Sequence, residues 1–408
     1  MKKILLIAYD LNPELGSECG IAHTYLRIYS KYFNVDVITF DIHRPYIDNF
    51  NYGDNVTFQY IRFSFLDKIL WKLKLDVISN WLFCNRTRKK IASNNPGQYR
   101  FIHIVTPEGY FAFNNIHKLG IKYIIGPING GLKTPRNFGN IFYKDFFYDF
   151  FRDLVYKLIS LIPGWRKYYV KAERIIIADE RMLNVIPAEC HKNAYQIFDV
   201  FVDPEEFKPI INKNFKHNDV SLLYCGRLVP KKGIQLLLDA YKECMIHLNT
   251  SNLKLNIVGR GPLLEYVLKF IEKNHFKQNI KVFSDLPKAD LVGKYQAADF
   301  YCLPTLREPG GLAILEAMSC ALPVITSDYG GPSFTVTPDC GIKIQVNNYH
   351  QYVSDLAKAI TNLYQNPGTR LTMGVKARER IIKEFSVETV EMKMITLWRT
   401  LLGNQYWQ

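Results

Sequence analysis

The chain has 408 residues, 48% hydrophobic and 22% charged, the profile of a globular protein with two or three domains; a disordered chain is excluded. The formal net charge of +14 points to anionic partners. It is spread evenly, with 27 Lys+Arg against 20 Asp+Glu in residues 1–205 and 25 against 18 in the rest, and there is no zinc-finger or RNA-recognition spacing, so nucleic acid is not an expected partner. None of the eight cysteines forms a CxxC pair, and several sit in apolar runs; they read as reduced thiols of a cytoplasmic protein.

The opening "MKKILLIAYD" imitates a signal peptide, but its apolar run is too short and Asp10 follows soon after, so a first strand over Lys3–Ala8 is expected. No uncharged apolar stretch reaches ~18 residues, and no transmembrane helix is predicted. Further strands are predicted at Val35–Phe40, Thr57–Ile61, Phe101–Val105, Lys122–Ile125 and Arg174–Ala178. A second set is expected at Ser221–Cys225, Leu253–Val258, Ile280–Phe283, Phe300–Leu303 and Pro323–Thr326. Continuous apolar runs separated by helical patterns signal parallel sheets covered on both faces, and two sets imply two doubly wound α/β domains. The polar stretch "VDPEEFKPIINKNFKHND" marks the boundary, giving domains over 1–207 and 208–385. A last helix over 386–408, capped by Ser386, carries Val387, Val390, Met394, Leu397 and Leu401 at helical spacing. Two segments, "FSFLDKILWKLKLDVISNWLF" and "IFYKDFFYDFFRDLVYKLISLIPGWRKYYVK", are dense in aromatics and cations. In the second, Phe147, Phe151, Leu154 and Leu158 share a helical face, which reads either as a core-facing stripe or as a surface for a membrane or lipid-linked substrate.

Three loops carry the candidate chemistry. In "REPGGLAILEAMSCALP", Glu308 and Glu316 flank a glycine turn and an apolar helix that follow a strand. Helix N-termini expose unpaired N–H groups, and parallel sheets bind ligands at the carboxyl ends of their strands. Gly310 and Gly311 would let a ligand approach the amides, Glu308 would accept sugar hydroxyls, and Glu316 would take the paired hydroxyls of a ribose; the plainer readings are a helix-dipole carboxylate and a solvated one. In "LLYCGRLVPKKGIQLLLDAY", Arg227 and Lys232 bracket the loop after a strand and would hold a diphosphate, unless they are solvated loop cations. In "ELGSECG", Gly16 would centre a backbone anion nest. There is no Asp-x-Asp, no metal-ligand spacing, no GxSxG and no GxGxxG after the first strand. Phosphate charge is then expected to fall to cations and amides rather than to a metal, and no separate cofactor is expected.

In combination, "GRLVPKKG", "IVGRGPLLE", "AADFYCLPTLREPGGLAILEAMSCALPVITSDYGGP" and the weaker "VDPEEFKP" resemble family 4 of the retaining glycosyltransferases, with its Glu-x7-Glu pattern met by Glu308 and Glu316. The resemblance is dense over 220–345 and looser over 1–205. It implies a GT-B fold, two Rossmann-like domains facing across a cleft with the last helix returning to the first. It also implies transfer of a sugar, with retention, from a UDP- or GDP-sugar to an acceptor hydroxyl. Arg227 and Lys232 would hold the diphosphate, and Glu316 the ribose. Glu308 and the amides of Gly310, Gly311 and Leu312 would hold the sugar, Leu286 the base, and Gly16 the phosphates from the first domain. The histidine that the family often places near the reacting sugar is absent from "IIGPINGG"; His103 is the candidate substitute, against a structural histidine at a strand end, and the amides of Asn129, Gly130 and Gly131 are a third option. The expected acceptor is a saccharide or lipid-linked saccharide of bacterial cell-surface polysaccharide or glycolipid synthesis, met in the cytoplasm or at the inner face of an anionic membrane. A GT-B UDP-sugar epimerase, a non-catalytic nucleotide-sugar-binding module and a membrane-surface scaffold are the alternatives.

Overall fold

The computed structural model describes residues 3–12, 18–73, 75–94, 96–107, 109–110, 112–210, 219–284 and 286–403, with residues 18, 76 and 139–148 described by backbone alone. Gly16, the expected anion nest, lies outside them. The chain divides into two compact units: 1–131 with 151–200 and 390–408, and 132–150 with 201–389. The split after residue 200 falls beside the polar boundary stretch. Residues 132–150, expected in the first domain, belong instead with the second.

The first unit holds a seven-stranded sheet. Its strands are β1 (Lys3–Ala8), β2 (Asn34–Phe40), β3 (Val56–Ile61), β4 (Ile102–Thr106), β5 (Tyr123–Ile128), β6 (Arg174–Ile177) and β7 (Ala194–Gln196). They run in the order β3-β2-β1-β4-β5-β6-β7, and every pairing is parallel. The central strands are Ile-, Leu- and Val-rich and buried throughout, as a sheet covered on both faces requires. The helices are α1 (Glu18–Ser30), α2 (Arg44–Ile47), α3 (Phe65–Lys72), α4 (Asp76–Ser93), α5 (Gly139–Ser160, entering from the other unit) and α6 (Pro163–Val170). The strand β7 was not expected: "AYQ" is half-buried at the sheet edge and has no apolar run to mark it.

The second unit holds a six-stranded sheet of β8 (Val220–Cys225), β9 (Leu253–Val258), β10 (Ile280–Phe283), β11 (Phe300–Leu303), β12 (Val324–Ser327) and β13 (Gly341–Ile344). Its order is β10-β9-β8-β11-β12-β13, again all parallel. Its helices are α7 (Ile234–Leu248), α8 (Leu264–Lys273), α9 (Lys288–Ala297), α10 (Leu312–Ser319), α11 (Pro332–Thr335), α12 (Tyr349–Gln365) and α13 (Pro367–Arg380). A π-turn over Ile381–Phe385 leads into the last helix, α14 (Val387–Leu402), where the Ser386 hydroxyl accepts from the Thr389 amide at 3.1 Å as an N-cap.

From Val390 onward α14 packs in the first unit, and a buried polar relay ties it there. Trp398 Nε1–H donates to the Tyr29 hydroxyl at 3.3 Å. The Gly126 carbonyl can only accept, so His103 Nε2 carries the proton and donates to it at 2.8 Å. That leaves Nδ1 to accept from the Tyr29 hydroxyl at 2.6 Å. All three side chains are fully buried. Burial holds the His103 ring down to about 3, so it stays neutral.

The aromatic-basic helix does not turn its stripe inward: Phe151, Leu154 and Leu158 of α5 are exposed, and Phe147 lies among the residues described by backbone alone. The inward side of α5 is taken by Ile159 and by Tyr156, whose ring meets Tyr110 at 4.0 Å. Trp398→Ala should remove one end of the relay and a fully buried indole, costing about 3–5 kcal/mol. Denaturant unfolding should show the loss in the transition of the first unit.

Candidate functional site

In each sheet the strand order reverses direction between its first and fourth strands, β1/β4 and β8/β11. At such a switch point the loops leaving two adjacent strands diverge to opposite faces and open a crevice at the strands' carboxyl ends. In the second unit those loops are 226–233 and 304–311, which hold Arg227, Lys232, Glu308, Gly310 and Gly311.

The two loops are bolted together by backbone. The Lys231 carbonyl accepts from the Leu306 amide at 2.9 Å and the Thr305 hydroxyl at 3.0 Å. Gly233 has φ +70°, and a Cβ there would stand 1.9 Å from the Pro304 carbonyl oxygen, so only glycine allows this approach. On the far side the Glu308 carbonyl accepts from the Gly331 amide at 2.9 Å. Gly311, at φ +91°, is the N-cap of α10 and turns the chain so that Leu312 begins the helix.

Within this frame the Lys232 ammonium forms an ion pair with the Glu308 carboxylate, both side chains being mostly buried. Burial, followed by the charges of Arg227 and Lys231, holds Lys232 down to about 8. Arg227 is exposed beside it, and its carbonyl accepts from the Tyr224 hydroxyl at 3.2 Å. Glu316, on α10, is partly buried and accepts from the Tyr295 hydroxyl of α9 at 2.7 Å. Burial pushes Glu316 up to about 7 despite that hydrogen bond. Cys225, the last residue of β8, lies within electrostatic reach of both Glu316 and Lys232. Two mostly buried residues of opposite charge, a second carboxylate and a flanking guanidinium can bind a ligand that carries both anionic and hydroxyl groups.

Arg227, Lys232, Glu308, Gly310, Gly311, Leu312 and Glu316 are therefore brought together. Leu286 is half-buried in the loop after β10, two strands away from β8. His103 does not belong with them: it is a core residue of the first unit with both ring nitrogens occupied. The Gly130 amide, a candidate donor, is taken by Asn129 Oδ1 at 2.6 Å, while Asn129 Nδ2 donates to the buried Asp199 carboxylate.

Sequence reasoning missed Tyr295; it is the buried residue of an otherwise polar, largely exposed helix, so no apolar pattern marked it, and its buried hydroxyl needs a partner. It also missed Arg307, whose guanidinium meets Asp149 at 3.0 Å. Asp149 accepts in turn from the Thr134 amide at 2.7 Å, and the Tyr329 hydroxyl donates to the Lys133 carbonyl at 2.7 Å. Segment 132–150 thus braces the loops that follow β11 and β12.

The two sheets, each doubly wound and parallel, define a GT-B architecture. Sucrose-phosphate synthase from Thermosynechococcus elongatus superposes with a TM-score of 0.70 at 18% identity, over 98% of this chain and 99% of that one. HepE from Anabaena, solved in complex with UDP, gives 0.68 at 15% identity over 98% and 100%. The family described as Glycosyl transferases group 1 matches residues 206–380, so the second unit carries a domain of that group. Among curated relatives, a GDP-mannose-dependent phosphatidylinositol monomannoside mannosyltransferase of Corynebacterium glutamicum is 29% identical over 42% of this chain and 45% of its own. A poly(ribitol-phosphate) alpha-N-acetylglucosaminyltransferase of Staphylococcus aureus is 26% identical over 57% and 47%. The chain thus spans about half the length of the curated relatives it matches.

Burial of Glu316 sets a pH signature. Its folded value, about 7, lies above its ordinary 4.5, so between these limits the folded state holds a proton that the unfolded state has released, and stability falls as pH rises. Glu316→Gln should abolish this slope. The melting temperature of the variant should gain on that of the parent as pH goes from about 4.5 to 7.

Proposed function

We propose that this protein transfers a sugar, with retention of anomeric configuration and without a metal, from a UDP- or GDP-sugar to an acceptor hydroxyl. The observation that carries the reading is the mostly buried Lys232–Glu308 pair, with Arg227 and Glu316, at the β8/β11 switch point. It is supported by the group 1 domain over the same residues.

In this reading Arg227 and Lys232 hold the diphosphate, whose charge grows as the glycosidic bond breaks. The phosphate oxygens compete with Glu308 for the Lys232 ammonium and release the Glu308 carboxylate to the sugar hydroxyls. Glu316 has one oxygen fixed by Tyr295 and takes the ribose hydroxyls with the other. The amides of Gly310, Gly311 and Leu312 complete the cradle, and Leu286 faces the base. The acceptor hydroxyl attacks on the face the diphosphate leaves, and its proton passes to a diphosphate oxygen. The acceptor is a saccharide or lipid-linked saccharide of a bacterial surface polymer or glycolipid, by analogy with the activities of the relatives, and the reaction belongs in the cytoplasm.

Nucleotide release should be assayed against UDP- and GDP-sugars with saccharide acceptors, with and without EDTA. One donor should turn over equally in both, and NMR should show the donor's anomeric configuration in the product. Lys232→Ala and Arg227→Ala should each cost about 10²–10³ in rate, the usual loss for one donor to a developing charge. Inverted product, or activity abolished by EDTA and restored by a divalent metal, would overturn the mechanism. Donor consumed to a new sugar nucleotide without acceptor would make it an epimerase.

A further inference from the structure

The first unit carries apolar side chains in water where a globular protein normally hides them. Around α3, Phe65 is 79% exposed, Trp71 63% and Leu73 63%, with Leu66 and Ile69 exposed beside them. A shoulder formed by the end of α5 and the turn into α6 adds Leu154, Val155, Leu158 and Leu161, the last 76% exposed. Ile159 of α5 and Trp165 and Tyr168 of α6 share one core cluster with Phe83 and Cys84 of α4, and α3 packs against α4. The 3-10 turn Ile116–Leu119 touches both α4 and α6. The two parts therefore sit on the same face of the β1–β7 sheet.

The helix α3 is held rigidly in this presentation. Ser64 and Asp67 form a capping box, and Asp67 also accepts from Arg86 of α4 at 2.6 Å. That leaves the sole acid of residues 65–73 buried and paired, while Lys68 and Lys72 stand exposed among the apolar tips. The shoulder and α6 add Lys157, Lys167 and Lys171, also exposed, and the sole acid of residues 151–171, Asp153, is paired with Arg152 at 2.9 Å. The charge of Lys171, Lys118 and Lys167 helps burial to depress the His117 ring, which places these cations around one spot.

We infer that this face seats the protein on an anionic lipid bilayer, with Phe65, Trp71 and Leu73 in the acyl boundary and the lysines at the headgroups. Aromatic and leucine tips interleaved with lysines, with acids paired off, match an interfacial surface. Lysine stems lie along apolar matter while their heads reach anionic phosphates, whereas the core of a protein–protein interface is depleted in lysine. The inference is independent of sugar transfer, because it concerns where the first unit sits.

The test is flotation of the full chain with phosphatidylglycerol–phosphatidylcholine vesicles and with phosphatidylcholine alone. The parent should float with the anionic vesicles and lose most binding at about 1 M salt, where the screening length is about 3 Å. Phe65→Ser/Trp71→Ser/Leu73→Ser should fail to float, with the melting temperature kept because all three side chains are exposed. Lys68→Glu/Lys72→Glu should bind about tenfold more weakly or worse, each lysine near such a surface being worth about 1 kcal/mol. Unchanged flotation of the triple variant, or no flotation of the parent at low salt, would overturn the inference. A lipid-free parent that is a dimer, and a triple variant that is a monomer, would give the face to a second copy instead.

Discussion

The pair between Lys232 and Glu308 is the constraint around which the second unit is organised. Opposite charges taken from water are tolerated only when held close together, and these two come from loops that leave adjacent strands, β8 and β11. Holding them together explains features that otherwise look unrelated. The Lys231 carbonyl receives two hydrogen bonds from the second loop, Gly233 lets the loops touch, and the Gly331 amide grips the Glu308 carbonyl from the other side. The arrangement sacrifices some stability: Glu316 is ionised only against its burial, and Lys232 sits near the edge of its charged range. Strained titratable groups gathered in one crevice are the mark of a site that acts on a ligand.

The first unit obeys a different logic. Its histidine, the second residue of the central strand β4, is not strained toward reactivity but silenced, with one nitrogen given to a carbonyl and the other to a tyrosine. The relay from Trp398 through Tyr29 to His103 and Gly126 fixes the last helix against the sheet with hydrogen bonds that need no net charge. What the first unit offers its surroundings lies outside its core, on the exposed aromatic and basic face of α3, α5 and α6.

Much of this was legible in the sequence, for physical reasons. The central strands of both sheets are buried on two faces, so they stand out as apolar runs; β7 and β13 are short edge strands without such a run and do not. Glu308, Glu316, Arg227 and Lys232 stood out because charges beside glycine turns after apolar strands demand a partner. The partners themselves could not be read. That Tyr295 meets Glu316, and Asp149 meets Arg307, depends on contacts between residues 21 and 158 positions apart in the chain. The placement of 132–150 with the second unit depends on the same kind of distant contact. His103 misled because a strand histidine looks alike whether it faces a crevice or a core, and only its two buried partners separate these cases. The stripe of α5 was undecidable for the opposite reason: helical periodicity shows that a face is apolar, not what covers it.

The proposed sugar transfer depends on a nucleoside diphosphate binding in the crevice at β8 and β11. Calorimetric titration of UDP and of GDP into the protein in EDTA tests it most directly, with Lys232→Ala and Glu316→Gln alongside. One of the two nucleotides should bind, and each variant should weaken it about tenfold or more, the usual scale for a hydrogen bond to a charged group. Binding of neither nucleotide, or equal binding by parent and both variants, would contradict the claim.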